Sequence, residues 1–157
     1  MTADRDWLRR FCYNLCMELS EEQRQKLREL GEKFDLELVL LYGSRIKGTS
    51  HEGSDVDIAV FTKKPIDFRT FLSLYSALSE VLAPLEGELD LVDLRGKDPL
   101  FLYQIFANSW LLYGDPTAYN EFRAFAFRNY FDSRDIFRLE KILVHRYQEY
   151  LNKTYAR

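Results

Sequence analysis

Between residues 36 and 57 lies the pattern that most restricts the fold. Leu36–Tyr42 is a nearly unbroken apolar run, the mark of a strand buried on both faces, and it stops abruptly at Gly43-Ser44. After ten residues rich in Gly, Ser, Thr, Lys and His, Asp55-Val56-Asp57 opens residues 55–62, a second strand that alternates carboxylates with Val and Ile. The period of two along a strand aims Asp55 and Asp57 at the same side. Two anions so close repel each other, and a cation must compensate them. Magnesium suits them, because it takes carboxylate oxygens together with substrate phosphates.

A third strand, residues 88–94, repeats the theme: Glu88, Asp90 and Val92 share one face, and Leu89, Leu91 and Asp93 the other. Asp90, in mid-strand between apolar residues, is the expected third acid. Glu88 stands too near the strand's end, and Asp93 should face away. Three such carboxylates can hold two metal ions about 3.5–4 Å apart for in-line phosphoryl or nucleotidyl displacement. Gly43 lets backbone approach a phosphate, while Ser44 and the amides of the turn through Arg45 to Gly48 can donate to it; Arg45 and Lys47 add positive charge.

The rest of the chain reads as one α/β domain, a small sheet with flanking helices. Apolar positions at helical spacing predict a helix over residues 8–19 that includes Cys12 and Cys16. Ser20-Glu21-Glu22-Gln23 is a capping box for a second helix ending near residues 31–34. Asp67 caps a third helix that Pro84 closes. Asp98-Pro99 and Asp115-Pro116 each start another, with residues 110–113 a short strand between them. Residues 119–151 form two helices broken near Asp132-Ser133. Residues 122–131 carry aromatics on more than one side, equally suited to a core or to a partner surface.

Composition narrows the function. In 157 residues, 22 basic against 25 acidic side chains leave a net charge of −3, which offers no chain-wide attraction to a nucleic-acid backbone. The apolar runs fall far short of the ~20 residues that cross a bilayer. The first residues carry no signal-like core, so a cytoplasmic location is expected. Two cysteines and two histidines cannot build a four-ligand soft metal site. Both histidines, His51 in the polar loop and His145 on the last helix, are expected to play no chemical role.

The stretch Tyr42-Gly43-Ser44-Arg45-Ile46-Lys47-Gly48, followed by Ser54-Asp55-Val56-Asp57-Ile58-Ala59-Val60, resembles the signature of the DNA polymerase β-like nucleotidyltransferases, most closely the minimal nucleotidyltransferases. The resemblance continues through residues 89–94 and 110–113, although Ile46 replaces a commonly small residue. It implies an α+β fold with a small mixed sheet, a catalytic core over residues 36–113, an N-terminal helical extension over 1–34 and C-terminal helices over 115–157. It further implies a Mg2+-dependent antitoxin that transfers AMP from ATP to a tyrosine of a HEPN ribonuclease toxin. Gly43, Ser44 and Arg45 would hold the nucleotide, and Asp55, Asp57 and Asp90 would be catalytic and metal-binding. Alternatives are an antitoxin that only masks its partner and a nucleotidyltransferase acting on aminoglycoside-like small molecules.

Overall fold

The computed structural model describes residues 19–46, 55–83 and 87–155. The expected helix over 8–19, Cys12, Cys16, Lys47, Gly48, His51 and Pro84 lie outside the described residues, Leu19 at the first one's end excepted. Among those described, the elements in chain order are α1 (Glu21–Lys33), β1 (Leu36–Tyr42), β2 (Val56–Thr62), α2 (Phe68–Leu82), β3 (Leu89–Asp93), α3 (Pro99–Ala107), β4 (Ser109–Gly114), α4 (Pro116–Asp132) and α5 (Arg134–Tyr155).

Local chemistry sets the helix starts. At α1 the Ser20 hydroxyl accepts from the Gln23 backbone N–H at 3.2 Å, and the Gln23 side-chain oxygen accepts from the Ser20 N–H at 2.8 Å, completing the capping box. The carboxylates of Asp67, Asp98 and Asp115 each accept from the backbone N–H three residues on, at 2.8 to 3.0 Å. Each cap is worth about 1 kcal/mol. Pro99 and Pro116 occupy first-turn positions, where no backbone donor is needed.

The four strands form one mixed sheet in the order β3-β2-β1-β4. β1 pairs antiparallel with β2 and β4, while β2 and β3 run parallel, joined by the crossover through α2. Strand alternation then divides the core. Val39, Leu41, Ile58, Val60 and Leu91 face α1 and α2, packing with Leu27, Leu74 and Leu78. Leu38, Leu40 and Ala59 face α3 and α4, packing with Ile105, Phe106 and Ala126. Burying each such Leu, Ile or Val contributes about 1.5–3 kcal/mol, which makes β1, covered on both faces, the spine of the domain.

The aromatic stretch at 122–131 divides its duties. Phe122 packs against the core with its ring tilted to that of Phe61, centroids 4.4 Å apart, whereas Tyr103 gathers Phe127 and Tyr130 around it at 4.9 and 4.3 Å. Phe125 and Phe131 remain exposed. The break at Ser133 separates α4, which packs on the sheet, from α5, which buries no residue.

Candidate active site

One row of side chains crosses the sheet at the end where β2 and β3 begin. In register, Asp90 on β3 stands opposite Asp57 on β2, Asp57 opposite Tyr42 on β1, and Tyr42 opposite Ser109 on β4. Adjacent strands are about 4.8 Å apart, so the two carboxylates are immediate neighbours. Tyr42 packs with the cluster facing α3 and α4, and alternation puts Asp57 and Asp90 on that same face. Asp55 lies two residues before Asp57, just ahead of β2, and is exposed, as is Asp90.

The acids feel one another. Partial burial first, then the negative charges of Asp90 and Asp55, push the Asp57 carboxyl above its ordinary value of 3.8. A backbone N–H from Ser44 and the charge of Arg45 oppose that rise. Tyr42 responds likewise: burial, then the charges of Asp90 and Asp57, push its phenol up to about 12, so it stays protonated at neutral pH.

Gly43 shapes the turn beneath Asp57. Its φ is +84°, a left-handed conformation that side chains resist. A Cβ there would collide with Asp57 Oδ2. The glycine therefore serves two needs, the turn itself and room for the carboxylate. Ser44 follows with its amide turned to that carboxylate, and Arg45 Nε donates to the Asp55 backbone carbonyl at 3.3 Å, tying together the two ends of the connecting segment.

The other candidate acids stand apart. Glu88 precedes β3, and it is its backbone carbonyl that accepts from Val56 N–H at 2.7 Å. Asp93 is on the opposite face from Asp90, and its carboxylate accepts from the Arg95 backbone N–H at 3.0 Å. His145 is on the exposed surface of α5, 3.4 Å from Glu149.

Three carboxylates form a hard oxygen donor set of the kind that suits Mg2+. Among the described residues, no group of three acidic, His or Cys side chains is drawn together tightly enough to grip an ion. The sequence offered no route to Tyr42 as a neighbour of this site, because its place depends on the β1–β2 register. Once that register is known, Tyr42 falls beside Asp57 directly.

A cavity of about 630 Å³ lies elsewhere. Arg24, Arg28, Leu36, Lys63 and Gly114 line it, at the opposite end of the sheet from Asp57. It contains none of the row's residues, and the chemistry of the carboxylates outweighs its size.

Comparison with known proteins fits this arrangement. Protein adenylyltransferase MntA of Shewanella oneidensis is 32% identical over 79 residues, which are 50% of this chain and 55% of that relative. The match thus spans about half the relative's length. A crystal structure of a toxin-antitoxin with AMP-PNP superposes with a TM-score of 0.59 at 25% identity, covering 76% of this chain and 98% of the other. A structure of a tri-AMPylated Shewanella oneidensis HEPN toxin in complex with MNT antitoxin shares the fold, with a TM-score of 0.54 at 22% identity and coverage of 78% and 98%. The model of the polymerase beta, nucleotidyltransferase family matches residues 25–117, which contain β1 to β4, the Gly43-Ser44 turn and all three acids. With its characteristic turn and carboxylate row carried on that sheet, the chain belongs to the polymerase beta, nucleotidyltransferase family.

Proposed function

We propose that this chain is a Mg2+-dependent protein adenylyltransferase that serves as an antitoxin, transferring AMP from ATP to a tyrosine of a cognate HEPN ribonuclease toxin in the cytoplasm. The observation that carries the reading is the pairing of Asp57 with Asp90, with Asp55 close by, beside a turn that only glycine accommodates. Acids left face to face cost stability, and a fold retains such a cost where cation binding offsets it. The name of the MntA relative and the AMP-PNP of the toxin-antitoxin structure support the choice of adenylyl transfer to a protein. The catalytic core in this reading is residues 36–113, with 1–34 as an extension and 115–157 as the C-terminal helices.

Asp55, Asp57 and Asp90 would hold Mg2+, which neutralises triphosphate charge when bound. Gly43 admits the triphosphate to the backbone. The Ser44 hydroxyl and the turn's amides donate to its oxygens, and Arg45 contributes positive charge from the same turn. In the transfer, the acceptor's phenolic oxygen bonds to the α-phosphorus, and the bond from that phosphorus to the pyrophosphate oxygen breaks. Asp90, the exposed acid at the edge of the row, takes the phenolic proton. Tyr42, half-buried and held protonated, cannot act as that base.

The direct test is to incubate the chain with its partner and Mg-ATP and weigh the partner. A mass gain of one or more AMP units is expected. No gain under conditions where ATP binds overturns the reading. If Asp55→Ala/Asp57→Ala still binds the partner but no longer neutralises it, catalysis and not masking is the mechanism.

A further inference from the structure

The helix α5 runs 22 residues, about 33 Å, without burying one of them, yet its surface is far from polar. Ile136, Leu139, Leu143, Tyr147 and Tyr150 are each more than half exposed. At 100° per residue they fall within an arc of about 80°, a single seam along the helix. α5 also lies wholly beyond residues 25–117, which the family shares. Nucleotidyl transfer therefore gives no reason for the seam.

We propose that α5 pairs antiparallel with α5 of a second copy of this chain, on a two-fold axis at Leu143. The steps between seam residues are three, four, four and three, a series that reads the same in both directions. Antiparallel pairing about Leu143 sets Ile136 against Tyr150, Leu139 against Tyr147, and Leu143 against itself. Such self-complementarity is what a closed two-fold interface requires.

Charge points to the same arrangement. Asp135 and Lys153 are 18 residues apart, a whole number of helical turns, so both project from the same flank of the seam at opposite ends of α5. An antiparallel two-fold brings like flanks together. Each Asp135 then comes within side-chain reach of Lys153 on the other copy, twice over by symmetry.

The area is also of the right order. A standard interface takes about 800 Å² from each partner. Two tyrosines, 62% and 59% exposed, offer roughly 90–150 Å² each, and three aliphatic seam residues with the exposed Ile142 and Val144 beside them bring the face towards that scale.

The test is the mass of the full chain in solution, by light scattering or sedimentation equilibrium at about 100 µM, where a micromolar interface is saturated. Twice the 18.7 kDa chain mass is expected. Leu143→Glu sets two carboxylates together on the axis and should weaken the dimer at least tenfold, with helical circular dichroism unchanged because the site is exposed. Asp135→Lys should weaken it about threefold, and adding Lys153→Asp should restore it. A single-chain mass for the unmodified protein overturns the proposal. So does a dimer that withstands Leu143→Glu, or a charge swap that fails to restore what Asp135→Lys lost. If Leu143→Glu leaves the dimer intact but loses the acceptor protein, the seam belongs to the acceptor and self-pairing is wrong.

Discussion

β3 carries two aspartates three residues apart, and the structure treats them in opposite ways. Asp93 is satisfied: its carboxylate accepts from the Arg95 backbone N–H, and the Arg95 guanidinium donates to the Thr62 hydroxyl at 3.3 Å and to the Thr62 carbonyl, while lying 4.8 Å from the centre of the Phe61 ring. Charges and donors there are arranged to hold β2, β3 and the following turn together. Asp90 faces Asp57 instead, in register and of like charge, with Asp55 adding to the repulsion. An acid in a structural role is given donors, whereas an acid set beside another acid is prepared for a ligand.

The difference is open to attack at both ends. The largest effect is expected from Asp57→Ala, which should lower AMP transfer to the partner by roughly 10³-fold or more, as loss of a central charge-stabilising group does. Its melting temperature should stay level or rise, since a repelling charge has gone; a large loss of stability would place Asp57 in the structural class with Asp93. Gly43→Ala should come next. The new methyl displaces the Asp57 carboxylate and strains a left-handed residue, for about 1–3 kcal/mol of stability. Transfer should fall about 100-fold, as a small misplacement of a reacting group produces. Urea unfolding and initial rates measure the two effects separately.

Added Mg2+ sharpens the contrast without any turnover. At 100 times its dissociation constant it should stabilise the unmodified chain by about 2.7 kcal/mol, read as a higher melting temperature, and leave Asp57→Ala almost unmoved. At the satisfied end, Arg95→Ala should cost about 1–2 kcal/mol through its lost hydrogen bonds and leave transfer nearly unchanged. Reduced transfer at full occupancy of the folded state would contradict that separation.

The smallest effect is a pH dependence. Folding raises the Asp57 value, so the native state holds its proton more tightly than the unfolded chain. The unmodified chain is thus favoured relative to Asp57→Asn below the ordinary carboxylate value of 3.8, and it loses ground as pH rises from there through the raised folded value. Melting temperatures of the two proteins across that window should move apart in this direction, and Mg2+ should reverse the loss at neutral pH.

Much of this was legible in the chain. The run at 36–42 became β1 with the same bounds, because strand length and an apolar stretch on both faces leave little else. Caps at Ser20, Asp67, Asp98 and Asp115 are local hydrogen bonds and can be read from residues three apart. Strand alternation separated Asp90 from Asp93 correctly. Register was not legible, since nothing near Tyr42 in sequence says which β2 residue it meets. The aromatic stretch could not be divided between core and surface either, because Phe122 is half-buried by contacts with Phe61 and Phe106, which are distant along the chain.

By itself, then, the sequence determined most of the described elements, the caps that start their helices and the faces on which the acids lie. These follow from the periods of helix and strand and from hydrogen bonds that close within a few residues. Only the tertiary structure decided that Asp57 meets Asp90 and Tyr42 in one row, that Gly43 must stay bare beneath a carboxylate, and that α5 stands with its apolar seam uncovered. Each of those depends on contacts between segments distant in the chain, whose pairing is selected by the packing of the whole core.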